Sequence, residues 1–510
     1  MQRRGFAPPF QDILLTTADS APTAWADLFR QGRGVYTIAL ALGILLHAMD
    51  AFLLGTVMPT VVREIGGAAY YSWGVMLYMT ASIIGAASGG PIKIRLGSRR
   101  GYAAAGVIML GGTLVAAAAD SIGMLLLGRF IQGFGAGLIV SQNVALIQEL
   151  FPVSLRPRMI AITSFMWATS AFVGPLIGGI FAEFGWWRGA FLFAVPLIVF
   201  FTGVAWLKLP ERPPTPEQRA RRFPIGRVAL LGLGVLTVGG TSNVDQAFDA
   251  LGVAIGASAT TDGLHGLGPK LVVLAIGLAI VWMTVRIDGR QTKSRVFPTA
   301  PFSLSGPVGT AYWAFMLVGM APVAAGIFMP LVYQVVYHFP AIPSGYLSSI
   351  LAVFWSLGST ITSGLSLPQQ RLALVGGPVL AMFGVIGIGI GVGLWSWPYL
   401  VACTCLTGLG VGLCISHLMN WTMSLARKGE ETVTASSIQT IRSLGIAFGA
   451  AGAGIIANQA GLGAGITAET VTNAVTSVQA VAAMAPFAAI LLGALLVTHR
   501  RRHDESSADT

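Results

Sequence analysis

The stretch YTIALALGILLHAMDAFLLGTVMPTVV, from Tyr36 to Val62, decides the fold class. It exceeds the roughly 20 apolar residues that a helix needs to cross about 30 Å of hydrocarbon. Its one charged residue, Asp50, stands near its middle. A charged side chain at mid-bilayer costs about 2.5 to 3.5 kcal/mol on insertion scales, so a lone carboxylate there is expected to serve a function. Proton carriage is the first expectation.

Comparable windows recur along the whole chain of 510 residues, which is 54% hydrophobic and 10% charged and holds 65 glycines. The mean hydropathy is +0.74. Such a composition suits lipid as solvent and predicts an all-α polytopic membrane protein. Fourteen mostly apolar windows lie near 35–62, 72–92, 102–119, 121–148, 159–182, 190–207, 227–244, 270–286, 306–337, 344–366, 373–394, 398–425, 433–457 and 475–498.

Lys and Arg accumulate on cytoplasmic connections. Of the 31 in this chain, all lie on the two tails or the even-numbered connections except five. Arg63, Arg188 and Lys270 fall on the opposite side, and Arg129 and Arg442 lie inside windows. This predicts an even number of spans with both ends cytosolic, in a cell inner or plasma membrane. It also accounts for the net charge of +11 without any nucleic acid. Anionic lipid headgroups are the expected partners of the basic loops.

The first 34 residues hold no apolar core, so a cytosolic tail is expected rather than a signal peptide. The three cysteines, Cys403, Cys405 and Cys414, share one apolar window and indicate neither a disulfide framework nor a metal site. Pro- and Arg-rich segments at 211–226 and 288–307 read as linkers. The resulting organisation is a tail (1–34), a six-helix bundle (35–207), linkers carrying two inserted helices near 227–244 and 270–286 (208–305), a second six-helix bundle (306–498) and a tail (499–510). The region 241–270 reads as an external loop. A helix continued through Ile255 would instead bring Asp245 and Asp249 into the membrane.

Six local motifs now carry a family resemblance. They are MDAFLLGTVMPTVVREIGG (49–67), LGRFIQGFGAG (127–137), SAFVGPLIGG (170–179), WWRGAFLFAVP (186–196), FMPLVYQVV (328–336) and ASSIQTIRSLGIAFG (435–449). In this order and at these helices, the chain resembles a major facilitator superfamily transporter of the fourteen-helix drug/proton antiporter type. The resemblance covers nearly the whole sequence. It implies two bundles that rock about a central site, a small-molecule substrate, a proton gradient as energy source, no cofactor, and a monomer. It implies conformational roles for Gly174, Pro175, Gly178 and Gly179, and for Gly90, Arg95, Gly97, Arg99 and Arg100 in GGPIKIRLGSRRGY (89–102). That loop departs from the family pattern, since Ile94 fills the place of its usual acid and Ser98 stands where an arginine is common. Glu149 is expected to rebuild the latch by pairing with Arg95 or Arg99. Glycine pairs four apart, such as Gly85 and Gly89 or Gly133 and Gly137, read as sliding or static packing surfaces.

Asp50 and Arg129 both stand near mid-membrane and are the proton-coupling candidates. Desolvation favours the protonated form of a carboxylate and a nearby guanidinium opposes it, so rocking that alters either would load and release a proton. The bland alternative is a static pair that holds the bundle. His47, three residues before Asp50, shares its helical face. It reads either as a relay that tunes Asp50 or as a neutral histidine hydrogen-bonded within the bundle, and His417 allows the same two readings. Gln142, Asn143, Trp167, Trp313, Tyr333, Gln334, Trp355, Asn420 and Trp421 are candidates to line an amphipathic cavity. Arg442 mirrors Arg129 in the second bundle. Two buried arginines against one aspartate leave the interior positive, so an anionic metabolite or siderophore-like acid stands as a rival to an amphipathic drug. No HExxH, nucleotide-binding loop or Ser-His-Asp pattern is present, which argues against an enzyme.

Overall fold

A computed structural model describes residues 25–152, 154–211, 224–241, 244, 267–291, 295–362, 364–394, 396–427 and 430–508. The expected tail before residue 25, the linker at 212–223, and Asp245 and Asp249 lie outside the described residues. Among the described residues there is no strand.

The helices are α1 (Arg33–Ile65), α2 (Trp73–Ala117), α3 (Ile122–Leu150), α4 (Arg156–Glu183), α5 (Trp187–Lys208), α6 (Ile225–Gly240), α7 (Leu267–Gly289), α8 (Pro307–Gly326), α9 (Ala341–Ile361), α10 (Leu367–Gly393), α11 (Trp397–Ser424), α12 (Glu431–Gln459), α13 (Ala468–Ala482) and α14 (Met484–Ala508). Twelve described helical runs are long and apolar enough to cross a membrane. The window at 72–92 is the first part of α2, and that at 227–244 is α6, shorter than expected at 16 residues.

Backbone chemistry sets the boundaries. α1 ends at Gly66 (φ 74°) and Gly67 (φ 85°), and α2 is broken at Gly97 (φ 82°), within the basic cluster. Glycine tolerates this left-handed region, where a Cβ would clash. Thus α2 is two helices joined at a kink. Ser121 caps α3 by accepting from the Met124 amide at 3.4 Å. The window at 306–337 is not one helix: α8 stops at Gly326, then a turn at Met329–Leu331 leads into a π-helical turn at Val332–Val336. Pro330 opens that turn, and proline cannot supply the donor that a continuous α-helix needs. The last window starts earlier than expected, at Ala468, and breaks at Ala483 between α13 and α14.

The glycine pairs are packing surfaces. A Cβ on Gly85, Gly133 or Gly137 would overlap the carbonyl of Phe134, Tyr78 or Ser82, so the backbones of α2 and α3 touch directly. Gly408 and Gly412 seat α11 on α9 through the carbonyls of Leu351 and Trp355, and Gly445 seats α12 on α8 at the carbonyl of Met316.

Contacts between α1–α5 and α8–α14 gather at the end opposite the basic cluster of Lys93 to Arg100, hereafter the far end. There Gly179 meets Ile342, and Gly345 meets Thr56 and Pro175. The Ile342 amide donates to Glu183 at 3.0 Å, Gln334 to the Thr56 carbonyl at 3.2 Å, and Asn458 to the Ala69 carbonyl at 2.8 Å. Toward the basic end α4 loses its partners: none of residues 160–169 is buried, although seven of residues 170–179 are. In α9 only Gly358 is buried between 352 and 361. The far end is closed and the basic end is splayed. Helix α6 packs against α2 and α12, and α7 packs on α6.

Candidate proton and substrate site

Asp50 points from α1 toward α3, where Arg129 stands two turns into a helix that the tight α2 contact holds in place. The Arg129 Nη1 donates to Asp50 Oδ2 at 2.5 Å and to Gln132 Oε1 at 2.9 Å. Its Nε donates to the Gly74 carbonyl at 3.4 Å, and its guanidinium carbon lies 4.3 Å from the Tyr78 ring centroid. Gln132 donates from Nε2 to Asp50 Oδ1 at 3.3 Å and to Thr113 at 3.0 Å. Tyr78 also lies 2.7 Å, hydroxyl to Nδ1, from His47. His47 in turn meets the edge of Trp167 with ring centroids 5.5 Å apart.

Two features of this cluster bear on chemistry. Arg129 has three anchors besides Asp50, so it keeps its place if the carboxylate becomes neutral. Burial is also uneven: the Asp50 side chain retains 8% of its exposure and Arg129 only 1%. Asp50 is therefore the less deeply buried member of the pair. Removing one partner of a buried pair is costly when the survivor is left uncompensated, and Arg129 alone of the two has several other contacts to compensate it.

The structure thus brings together Asp50, Arg129, His47 and Trp167. Arg442 is half-buried on α12. Its Nε has no hydrogen-bond partner, and no ion pair of Arg442 is found among the described residues.

The remaining candidates lie elsewhere. Asn143 is tied to the Leu40 carbonyl and the Tyr102 hydroxyl, and Gln142 to the Gly101 carbonyl, both inside the first bundle. Tyr333 is buried in an aromatic group with Tyr337 and Phe339, and Gln334 belongs to the far-end seam. Trp313 donates to the Phe302 carbonyl and Trp421 to Gln370, while Asn420 is exposed on α11. Trp355 is half-buried on α9, and His417 is buried in α11.

The latch needs a correction. Glu149 pairs with Lys93 and accepts from the Ser98 hydroxyl at 3.2 Å, not from Arg95 or Arg99. The break at Gly97 puts Lys93 on the last regular turn of the first α2 span, facing α3. Arg95 is exposed, Arg99 lies over the Trp206 ring, and Arg100 approaches Glu211 at 4.0 Å. Gly90 is exposed on the same span. Pro175 and Gly178 sit in the far-end half of α4 against Gly345 and Leu53, and Gly174 packs on Phe52.

Tyr78, Gln132 and Thr113 complete the cluster and were not expected from sequence. Gln132 had a signal, since it stands three residues after Arg129 within LGRFIQGFGAG and so shares its face.

The sequence matches the Major Facilitator Superfamily over residues 40–450. The chain belongs to that superfamily. This major facilitator protein is similar to a probable multidrug-efflux transporter of Mycobacterium tuberculosis (strain CDC 1551 / Oshkosh), at 27% identity over 506 residues, covering 96% of this chain and 99% of the relative. It resembles an uncharacterized transporter of Escherichia coli (strain K12) at 25% identity, over 83% of this chain and 89% of that one. In fold it matches a POT family transporter solved with 5-aminolevulinic acid, with a TM-score of 0.62, 15% identity, and coverage of 91% and 96%. A D-xylose-proton symporter superposes with a TM-score of 0.58 at 12% identity, covering 88% and 96%. The chain is a multi-pass membrane transporter rather than an enzyme.

Proposed function

We propose that this protein exports amphipathic, drug-like small molecules in exchange for protons by alternating access. The observation that carries the reading is the buried Asp50–Arg129 pair, whose carboxylate is the less deeply buried member while its guanidinium is also held by Gln132, the Gly74 carbonyl and Tyr78. Protonation of Asp50 removes an ionic contact without releasing Arg129. The buried positive charge left behind then repels a cationic substrate, and substrate bound near Asp50 favours loss of the proton. Proton and substrate thus compete for one place. His47, bridged to the pair through Tyr78, adjusts that competition as a positioning residue.

Counting both spans of α2 and the short α6 gives fourteen crossings, with the bundles at 35–207 and 306–498 and the hairpin of α6 and α7 between them. The distribution of Lys and Arg supports cytosolic termini in a cell inner membrane and anionic lipid at the basic loops. In that orientation the splayed basic end is an inward-open cavity. The energy source is the proton gradient, no cofactor is required, and the unit is a monomer.

A second reading rests on Arg442. Its guanidinium, which has no ion pair among the described residues, would hold a carboxylate or other anionic group on the substrate. Purified protein in liposomes, given a panel of cationic dyes and organic acids under an imposed proton gradient, separates the two. Lumenal pH changes driven by dyes support drug efflux, and a response to acids alone supports the anion reading.

A further inference from the structure

The two bundles face each other along two sides, α2 with α12 and α4 with α9. In this chain they differ. On the first side α6 fills the seam: a Cβ on Gly232 or Gly239 would overlap Ile84 or Met76 of α2, and Val238 packs with Ala450 and Ala451 of α12. Leu231 and Val235 share a core with Ile83 on one side and Ile438 and Ile441 on the other. Helix α7 only backs α6, and 17% of its apolar window is buried. A polar strap fastens this hairpin to the second bundle. Asp288 at the end of α7 pairs with Arg227 of α6 and accepts from the Val296 and Phe297 amides, each at 2.9 Å from Oδ2. Further along the same strap, Arg295 pairs with Glu430 at the start of α12 at 3.2 Å. The α12 span is 61% buried, against 28% for α4 and 33% for α9.

On the second side nothing covers the gap among the described residues. Its walls carry exposed apolar side chains, including Phe165, Val353 and Leu357, interleaved with hydroxyls. Ser164, Thr169, Ser356 and Thr360 each donate to a carbonyl of their own helix, so none needs water as a partner. Such a wall suits the acyl region of a bilayer, and it leads to Trp167, which contacts His47.

We propose that α6 is a fixed plug over one lateral gap, and that lipid-dissolved amphiphiles reach the Asp50 site from the inner leaflet through the α4–α9 gap. This rests on the efflux reading for the identity of the cargo, but its test does not need transport. In a background with Cys403, Cys405 and Cys414 replaced by alanine, a bimane label is placed on S164C, I84C or L233C and the protein is reconstituted with brominated phosphatidylcholine. Ser164 lies three residues before Trp167 on the same face of α4, Ile84 lies behind α6, and Leu233 is exposed on α6.

The expected result is quenching at residue 164 as deep as at 233, with fluorescence kept at 84. No quenching at 164, or equal quenching at 84 and 164, would overturn the proposal. S356C on the opposite wall provides a second reporter should S164C fail to reconstitute. Dye and proton movement by the unlabelled protein is scored separately, so absence of efflux and absence of lipid access give different patterns.

Discussion

The Arg129 guanidinium rests on the Tyr78 ring, 4.3 Å from its centroid, and that same tyrosine's hydroxyl is 2.7 Å from His47. One side chain therefore carries both one anchor of the buried cation and the only link from the ion pair to the histidine seen among the described residues. A cation over a desolvated aromatic face gains about 2 kcal/mol, comparable to the charge-assisted hydrogen bonds around it.

Tyr78 can be tested by separating its two roles. Tyr78→Phe keeps the ring and loses the histidine contact, whereas Tyr78→Leu loses both. Initial rates of proton-driven dye export should fall about tenfold or more in Tyr78→Leu and only about threefold in Tyr78→Phe, given the size of a cation–π contact and of one hydrogen bond. Equal losses would show that the ring does not hold Arg129.

Arg129 should matter to stability as well as rate. Arg129→Ala leaves Asp50 buried without its partner, a loss of roughly 3 to 5 kcal/mol by analogy with other broken buried pairs. Asp50→Asn leaves the guanidinium with Gln132, the Gly74 carbonyl and Tyr78. Thermal unfolding in detergent should therefore show a marked drop for Arg129→Ala and a small one for Asp50→Asn. Arg129→Lys should restore little, because a point charge cannot reach Asp50, Gln132 and the Gly74 carbonyl together.

How much of this was legible in sequence depends on what kind of signal each residue carries. Asp50 and Arg129 stand out because charge is rare in apolar windows, and Gly97 because a basic turn surrounds it. Tyr78 and Thr113 carry no such mark: a tyrosine or threonine in a membrane helix looks like packing until its neighbours are known. The partner of Glu149 depended on helical phase, and the phase is set by where α2 unwinds at Gly97. Arg95, two residues after Lys93 on the same last turn, points to a different face and is exposed, which a string of basic residues does not reveal. The π-helical turn at Val332–Val336 was hidden because its local sequence is apolar and β-branched, with Pro330 as its one hint.

The rebuilt latch gives a comparison of neighbouring basic residues. Lys93 and Glu149 keep side-chain exposures of 18% and 26%, so the pair is partly screened and contributes about 1 kcal/mol or less to stability. Lys93→Met should slow dye export by about threefold on that scale, with Arg95→Met near the unaltered rate. The reverse order would restore the pairing first expected from sequence.

Backbone contact between α2 and α3 is a further point of attack. A side chain at residue 133 must displace the Tyr78 carbonyl, and overpacking of this kind costs about 1 to 3 kcal/mol. Gly133→Val should lower the melting temperature and the export rate together, because it moves the helix that carries Arg129. Gly111→Ala, where a Cβ meets nothing within 4 Å, should leave both unchanged.

The central claim is that the Asp50 carboxylate itself takes up and gives back the proton. Its most direct test is lumenal pH in liposomes during substrate addition, run in parallel for the unaltered protein and Asp50→Asn, with dye counterflow as a control for folding. The account predicts that Asp50→Asn still exchanges dye for dye but produces no substrate-driven pH change. Equal proton movement by both proteins would contradict it.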